Sequence, residues 1–425
     1  MPRVCKCPQP QPVEQLQNFR LLLCVDIRQR LFYPVAMFNL DEELKALKKA
    51  RLHRRLPSVE ARTGTHIRIK GRDLLLMASN DYLGLSQHPH LISRAAQAAA
   101  QWGAGSAAAR LISGSCTLFD ELEKRLAHFK QTQAALLFST GYMANLGLLS
   151  ALAGPDDIIF SDELNHASII DGCRLSRAKV SVYSHVNMAA LAARLRRAGR
   201  FRRRIIVTDA LFSMDGDIAP LPRLLELARS HDAVLIVDDA HGTGVLGPQG
   251  RGTIAHFGLE DPDRLIIMGT LGKALGCFGA FVAGSRVLID YLVNRARTFI
   301  FTTAMPPSNA AAALAAVDIV EQDAGLRERL QENTAFLHRE LRSLGFDLGS
   351  SRTQIIPIMA GEARKALAMA DHLMEQGIFL LAIRPPTVPA NAARLRLTVT
   401  ALHTRQELER VVAALKKTGR KHGLI

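Results

Sequence analysis

From Ala134 to Ala283 the chain repeats one pattern: a short, wholly apolar run, a polar turn, then a stretch with apolar residues at helical spacing. Apolar runs without polar alternation suit strands buried on both faces, as in parallel sheets covered by helices. The runs are Ala134–Phe138, Ile158–Ser161, Val180–Ser184, Ile205–Asp209, Ala233–Val237 and Leu265–Met268, with Phe281–Ala283 last. Helices are expected at Leu118–Phe129, after Asn165, at Met188–Ala198 and at Leu221–His231. Such alternation implies right-handed crossovers. The class is therefore α/β: a mainly parallel sheet with helices on both faces.

The flanks complete the plan. Asp41 is a candidate N-cap for the charged stretch EELKALKKARLHRRL, which Pro57 closes. Thr65–Lys70 and Asp73–Ala78 read as a hairpin turning at Gly71, and a helix is expected at Leu91–Gln101. A helical region over Pro307–Leu344 leads to a smaller α+β part. Its strands are expected at Gln354–Met359, Ile378–Ile383 and Leu395–Val399, its helices at Arg364–Gln376 and Thr404–Lys417. A chain of 425 residues is too long for one core. The expected division is an amino-terminal helix and hairpin (37–83), a large cofactor-binding domain (84–306) and a small carboxy-terminal domain (307–425). Residues 1–36 are expected to be translated upstream sequence before a natural start at Met37, with a disordered tail or transit peptide as the alternative. Their apolar patch, Leu21–Val25, is too short for a secretory signal.

The net charge of +15 raises nucleic acid as a partner. Against it, aromatics make up only 5%, and the basic residues are scattered apart from Arg194–Arg204, a solvated helix end. Phosphates of coenzyme A or an acidic carrier protein fit better, so no nucleic acid is expected. The six cysteines form no CxxC pair, as in a reducing, cytoplasmic setting. Ala134–Pro155 is the longest uncharged run, but Ser139-Thr140-Gly141-Tyr142 breaks it into strand, turn and helix. No membrane span is expected.

Catalytic groups of α/β proteins collect where parallel strands end. The run at Ala233–Val237 delivers Asp238, Asp239 and His241, and the run at Leu265–Met268 delivers Thr270 and Lys273. Around Lys273 lie only Leu271, Gly272, Ala274, Leu275 and Gly276, none of them able to pair with an ammonium. Such a lysine has a lowered pKa and suits Schiff-base chemistry. A carboxylate three residues before a histidine supplies the rest of a pyridoxal 5'-phosphate site: Asp238 to keep the pyridine nitrogen protonated, His241 to meet the phenolic oxygen. Asp238, Asp239 and His241 could instead hold a hard cation, but that leaves Lys273 unexplained, and no metal is expected. Backbone N–H groups of Gly141 and Tyr142, at a helix start, offer a seat for the cofactor phosphate. Arg384 stands at a strand exit stiffened by Pro385 and Pro386, where a rigid guanidinium can grip a carboxylate.

The segments SNDYLGL, STGYMAN, FSMDGD, VDDAHGTGVLG, TLGKALG and IRPPTVP, occurring in the same order over roughly Asn39 to Leu415, resemble the α-oxoamine synthase family of fold type I pyridoxal phosphate enzymes. The resemblance implies a homodimer with the site at the subunit interface. It makes Phe281–Ala283 the antiparallel member of the sheet. It assigns phosphate contact to Gly141, Tyr142 and Thr270, ring stacking and substrate contact to His166, and a hydrogen bond near the phenolic oxygen to Ser213. Thr302 and Thr303 match a segment that reaches the partner's phosphate. Arg384 would hold the amino-acid carboxylate, with Thr387 and Asn80 as further substrate contacts. The family offers an arginine to the acyl substrate near the amino terminus; alignment on Leu56-Pro57 puts His53 there, among Arg51, Arg54 and Arg55. The implied reaction is a decarboxylative condensation of an amino acid with an acyl thioester. AIRPPTVP followed by ARLRLTVTA resembles the branch that joins L-alanine to a pimeloyl thioester in biotin synthesis, with glycine-using branches as the alternative.

Overall fold

The structure is a computed structural model that describes residues 39–425. The expected start at Met37 and the nature of residues 1–36 lie outside the described residues. Two compact units divide between Arg54 and Arg55. In the first, the helix Leu40–Lys49 carries Asp41, Glu42 and Glu43 in its first turn and Lys48 and Lys49 in its last. Each sign sits at the end of the helix dipole that favours it. Asn39, not Asp41, holds the N-cap position, and the helix ends well before Pro57 because Arg51 adopts a left-handed φ of 57°.

The second unit opens with strands β1 (Ala61–Thr63), β2 (His66–Ile69) and β3 (Arg72–Leu76), an antiparallel ribbon in which β2 and β3 form the expected hairpin. The central sheet follows: β4 (Ala134–Phe138), β5 (Ile158–Asp162), β6 (Lys179–Tyr183), β7 (Arg204–Asp209), β8 (Val234–Asp238), β9 (Leu265–Thr270) and β10 (Ala280–Gly284). Their order is β4-β10-β9-β8-β7-β5-β6, and the pairs from β9 to β6 are all parallel. β10 runs antiparallel to both β4 and β9, so it brings the carboxyl ends of those two strands side by side.

Both faces are covered, as the unalternated runs require. On β5, Ile158 and Phe160 pack with Leu191 and Leu224 on one side, while Ile159 packs with Leu148 and Ile169 on the other. Each such side chain, fully buried, contributes about 1.5–3 kcal/mol. The edge strand β6 is exposed at Val180 and Val182, and there the pattern returns to alternation.

The carboxy-terminal strands are β11 (Ile355–Gly361), β12 (Ile378–Phe379), β13 (Leu381–Ile383) and β14 (Ala393–Thr398). The single strand expected over Ile378–Ile383 is two. β12 pairs in parallel with β3, whereas β13 pairs with β14 in the antiparallel sheet β11-β14-β13. Buried Leu380 is the crossover between partners, which a linear reading of apolar residues does not reveal. The helical region after Pro307 is likewise two helices, Pro307–Gln322 and Ala324–Ser343, broken at Asp323. Arg327 makes that break tolerable by donating to the carbonyls of Val320 and Asp323.

Behind β8 lies a buried ion pair. Lys130, ending the helix Thr117–Lys130, donates to Asp239 Oδ2 at 2.9 Å, Thr243 Oγ1 at 2.7 Å and the Arg251 carbonyl at 2.6 Å. Asp239 also accepts from the Thr253 amide and hydroxyl. Gly252 passes so close that a Cβ would stand 1.9 Å from Asp239 Oδ2. Lys130→Met should cost about 3–5 kcal/mol, because it leaves Asp239 buried without a cation. Lys130→Met with Asp239→Asn should recover most of that loss. Urea-denaturation midpoints measure both, and an unshifted midpoint in the single variant would contradict the assignment.

Candidate active site

The carboxyl ends of β4, β5, β7, β8 and β9 converge on a cavity of about 200 Å³. Gly141, Tyr142, His166, Asp238, His241 and Lys273 line it, with Asp209, Met268 and Thr270 alongside. A larger crevice of about 600 Å³ opens at the other end of the strands, among Arg202, Arg204 and Arg264. It holds no lysine, histidine or cysteine, so chemistry rather than size selects the smaller cavity.

Lys273 sits in the turn after β9 and its amine opens into the cavity, Nζ 2.7 Å from His241 Nε2. Burial brings its pKa down to about 8; the charges of Asp238 and Asp209 oppose the drop and that of Arg396 adds to it. The turn is seated by Gly276, which has a left-handed φ of 65° and would place a Cβ 2.4 Å from the Ser86 amide. Only glycine lets the lysine turn lie against that backbone. His241 Nδ1 lies 2.7 Å from the Tyr82 hydroxyl, which lies 3.3 Å from Asn80 Oδ1. Burial, then the charges of Lys273 and Arg396, hold the His241 pKa well below the usual imidazole range. The neutral ring therefore accepts from the Lys273 ammonium through Nε2 and donates through Nδ1 to Tyr82, which donates on to Asn80.

Asp238 and Asp239 leave the end of β8 on opposite sides. Asp239 turns to Lys130, and Asp238 faces the cavity, so the two do not converge as a metal pair. Asp238 accepts from Asn145 Nδ2 at 2.8 Å and from the Ala240 amide at 3.0 Å. Asn145 Nδ2 also donates to Ser168 Oγ at 2.8 Å, and that hydroxyl lies 2.7 Å from His166 Nδ1. With Nδ1 also accepting from the Ser168 amide, neutral His166 keeps its proton on Nε2. His166 is thus both the N-cap of the helix Ala167–Leu175 and a wall of the cavity, edge-on to Tyr142. Burial lowers its pKa.

Asp209 pairs in register with Asp238 across β7 and β8. Burial, then the Asp238 charge beside it, raises the Asp209 pKa well above its ordinary value. Its Oδ2 accepts the His166 amide at 2.6 Å.

The helix Gly141–Leu152 points its amino terminus at the cavity, capped by Thr140 Oγ1. Thr270 Oγ1 lines the cavity while donating to the Gly279 carbonyl and accepting from the Gly272 amide. Ser213 lies in the loop after β7, where its carbonyl accepts from Arg396 Nε. Asn80 follows β3 and accepts from Arg396 through Oδ1. Arg384 and Thr387 share the turn after β13, the Thr387 amide donating to the Arg384 carbonyl. Thr303 bridges to Ala109, and half-buried Thr302 stands beside a small crevice near Arg110, apart from the Lys273 cavity. His53 belongs to the amino-terminal unit.

Sequence reasoning missed Tyr82, Asn145, Ser168, Asp209 and Arg396. Tyr82 and Asn145 lay inside SNDYLGL and STGYMAN, and Asp209 ends its strand as Asp238 does, which was a usable signal. Arg396 had none, since its neighbours along β14 are core residues.

The sequence matches the family model for aminotransferase class I and II over residues 72–415. It is 49% identical over 391 residues to the 8-amino-7-oxononanoate synthase of Citrifermentans bemidjiense, covering 92% of this chain and all of that one. Identity to the enzyme of that name from Geobacter metallireducens is 50% over 386 residues, covering 90% and 98%. Among solved structures, serine palmitoyltransferase from S. paucimobilis with bound PLP and myriocin superposes with a TM-score of 0.87 at 32% identity, covering 92% and 99%. The 8-amino-7-oxononanoate synthase from Francisella tularensis superposes with a TM-score of 0.72 at 31% identity, covering 82% and 99%. With its sheet order, its strand-end cavity and these likenesses over nearly the whole chain, the protein belongs to the aminotransferase class I and II family.

Proposed function

We propose that this enzyme is a pyridoxal 5'-phosphate-dependent 8-amino-7-oxononanoate synthase. It condenses L-alanine with a pimeloyl thioester, releasing carbon dioxide and the free thiol, as a step of biotin synthesis. One observation carries the reading: Lys273 Nζ, 2.7 Å from a neutral imidazole, opens into a cavity that Asp238 also lines. Identity near one half to curated synthases of that name supports the substrate pair.

The donor set fits the cofactor. Lys273 offers an amine for its aldehyde, Asp238 a carboxylate for the ring nitrogen, and His241 a partner for the phenolic oxygen. The amides of Gly141 and Tyr142 and the Thr270 hydroxyl offer a phosphate seat, and Ser213 a further polar contact. Bound there, pyridoxal phosphate supplies an aldehyde for amines and a protonated ring that draws electrons from the α-carbon. Asp238, fixed by Asn145, keeps its carboxylate on the cavity side, where it would meet the ring nitrogen. Lys273 Nζ takes the α-proton of the amino acid and returns one after carbon dioxide leaves; a pKa of about 8 suits both transfers near neutral pH. His166 turns its Nε2–H into the cavity, where it orients substrate.

Arg384 holds the alanine carboxylate, and Thr387, Asn80 and His53 contact substrate. Thr302 and Thr303 reach the phosphate of a second subunit, which makes the working unit a homodimer with its site at the interface. The acyl group arrives on coenzyme A or a carrier protein, anionic donors that a chain of net charge +15 favours. Among the described residues no helix is long and apolar enough to cross a membrane, and a cytoplasmic enzyme accords with Cys116, Cys173 and Cys277, which form no disulfide among the described residues. Residues 84–306 form the cofactor-binding domain and 307–425 the smaller one.

The lowered Lys273 pKa has a direct consequence. For apoenzyme mixed with pyridoxal phosphate, the rate of absorbance change should climb roughly tenfold per pH unit below pH 8 and level off above about 9, as free amine accumulates. A rate still climbing past pH 10 would mean an ordinary lysine. Lys273→Ala should reduce turnover by about 10²–10⁴-fold. Offered alanine, glycine and serine against pimeloyl, acetyl and succinyl thioesters, the enzyme should prefer alanine with pimeloyl. Preference for glycine with acetyl would move it to another branch.

A further inference from the structure

Outside the cavity, one titratable cluster is built with unusual economy. His185 follows β6, with Nδ1 2.9 Å from Asp162 Oδ1 and Nε2 2.9 Å from Asp217 Oδ2. Its ring stands edge-on to Phe212, centroids 4.4 Å apart. Three strand ends therefore meet at one imidazole. Asp162 ends β5 and begins the segment that leads to His166. Phe212 and Asp217 bracket Ser213 in the loop after β7.

The two carboxylates are not equally dependent on it. Asp162 also accepts from the amides of Leu164 and Val186. Asp217 has no such support: its Oδ1 is buried without a hydrogen-bond partner, so its charge rests on His185. On its other side the Ser213 loop is held by Arg394, which pairs with Asp215, and by Arg396, which donates to the Ser213 carbonyl. Without His185 the loop would be pulled from one side only, with an unpaired carboxylate at the opposite edge.

We propose that His185 is a positioning residue, a doubly ion-paired clasp that holds the Ser213 loop and the segment leading to His166 in register above the cavity. The inference rests on the cofactor and substrate roles proposed for Ser213 and His166. Burial works against charge on His185, but its bonds to Asp162 and Asp217 outweigh that and raise its pKa to about 10. Glu163 also faces this corner, accepting the His185 amide at 2.8 Å, and buried Tyr183 stands near enough to Asp162 to feel its charge. The clasp is thus closed throughout the physiological range and is a fixed part rather than a switch.

The test compares His185→Ala, His185→Gln, Asp217→Asn and the double variant His185→Ala/Asp217→Asn with the parent protein, as apoenzyme and as holoenzyme. In the apoenzyme, amide hydrogen exchange over 162–168 and 210–219 should quicken together by about tenfold in His185→Ala, with the rest of the chain unchanged. In the holoenzyme, the bound-cofactor absorbance should shift and KM for alanine should rise, while KM for the thioester stays within about twofold. Removing the stranded charge should help, so the double variant should regain at least about threefold in kcat/KM over His185→Ala. Exchange quickening across the whole protein, an unmoved cofactor spectrum, or a double variant no better than the single one would each overturn the proposal. Should His185→Ala not fold, His185→Gln and Asp217→Asn carry the same comparison, since each opens one side of the clasp. The exchange and absorbance readouts use no substrate, so a wrong acyl donor or amino acid would leave them standing.

Discussion

The rest of the structure depends on keeping one amine out of water without giving it a salt bridge. Lys273 has carboxylates nearby, but Asp238 is tied up by two N–H donors and Asp209 is held by the His166 amide, so neither closes on the ammonium. What the amine meets is a neutral imidazole, whose own protonation is suppressed by burial and by Arg396. The result is a pKa of about 8, set first by desolvation, which the charges of Asp238 and Asp209 only partly offset. A lysine with a free carboxylate beside it would stay protonated and inert.

The acid pair across β7 and β8 explains how the site tolerates two buried carboxyls. Like charges on adjacent parallel strands cannot both ionise without penalty. The network serves the two unequally: Asn145 and the Ala240 amide both donate to Asp238, whereas Asp209 receives only the His166 amide. Asn145 then passes the same arrangement through Ser168 to His166. One amide side chain thereby orients the acid and the histidine together, from a helix that also aims its amino terminus into the cavity. Asp239, one residue from Asp238, does the opposite work, anchoring the segment to Lys130 on the far side of the sheet.

Distant parts of the chain reach this centre through backbone pairing and through the side chains of Gln354 and Arg396. β12 adds to β3, and the Thr398 amide donates to the Met77 carbonyl, which fixes where Asn80 and Tyr82 emerge. Gln354 Nε2 donates to the His241 carbonyl at 3.0 Å, joining the carboxy-terminal sheet to the histidine at the centre. Arg396 comes from β14 to the same place. The carboxy-terminal strands therefore act on the chemistry by electrostatics and position, from residues far away along the chain.

Much of this was legible in the sequence. Unalternated apolar runs with helices between them determined the doubly covered, mainly parallel sheet, because a strand buried on both faces has no polar side to show. Lys273, Asp238, His241 and His166 were readable because each stands just after such a run, and strand ends in this fold face one cavity. What only the tertiary structure decided depends on pairing between remote segments. It split Ile378–Ile383 between two partners, sent Asp239 away from Asp238, raised the Asp209 pKa, and brought Tyr82, Asn145 and Arg396 to the site. Local spacing says which side chains share a strand end; which donors and charges surround them is set by packing, and that packing fixes their protonation.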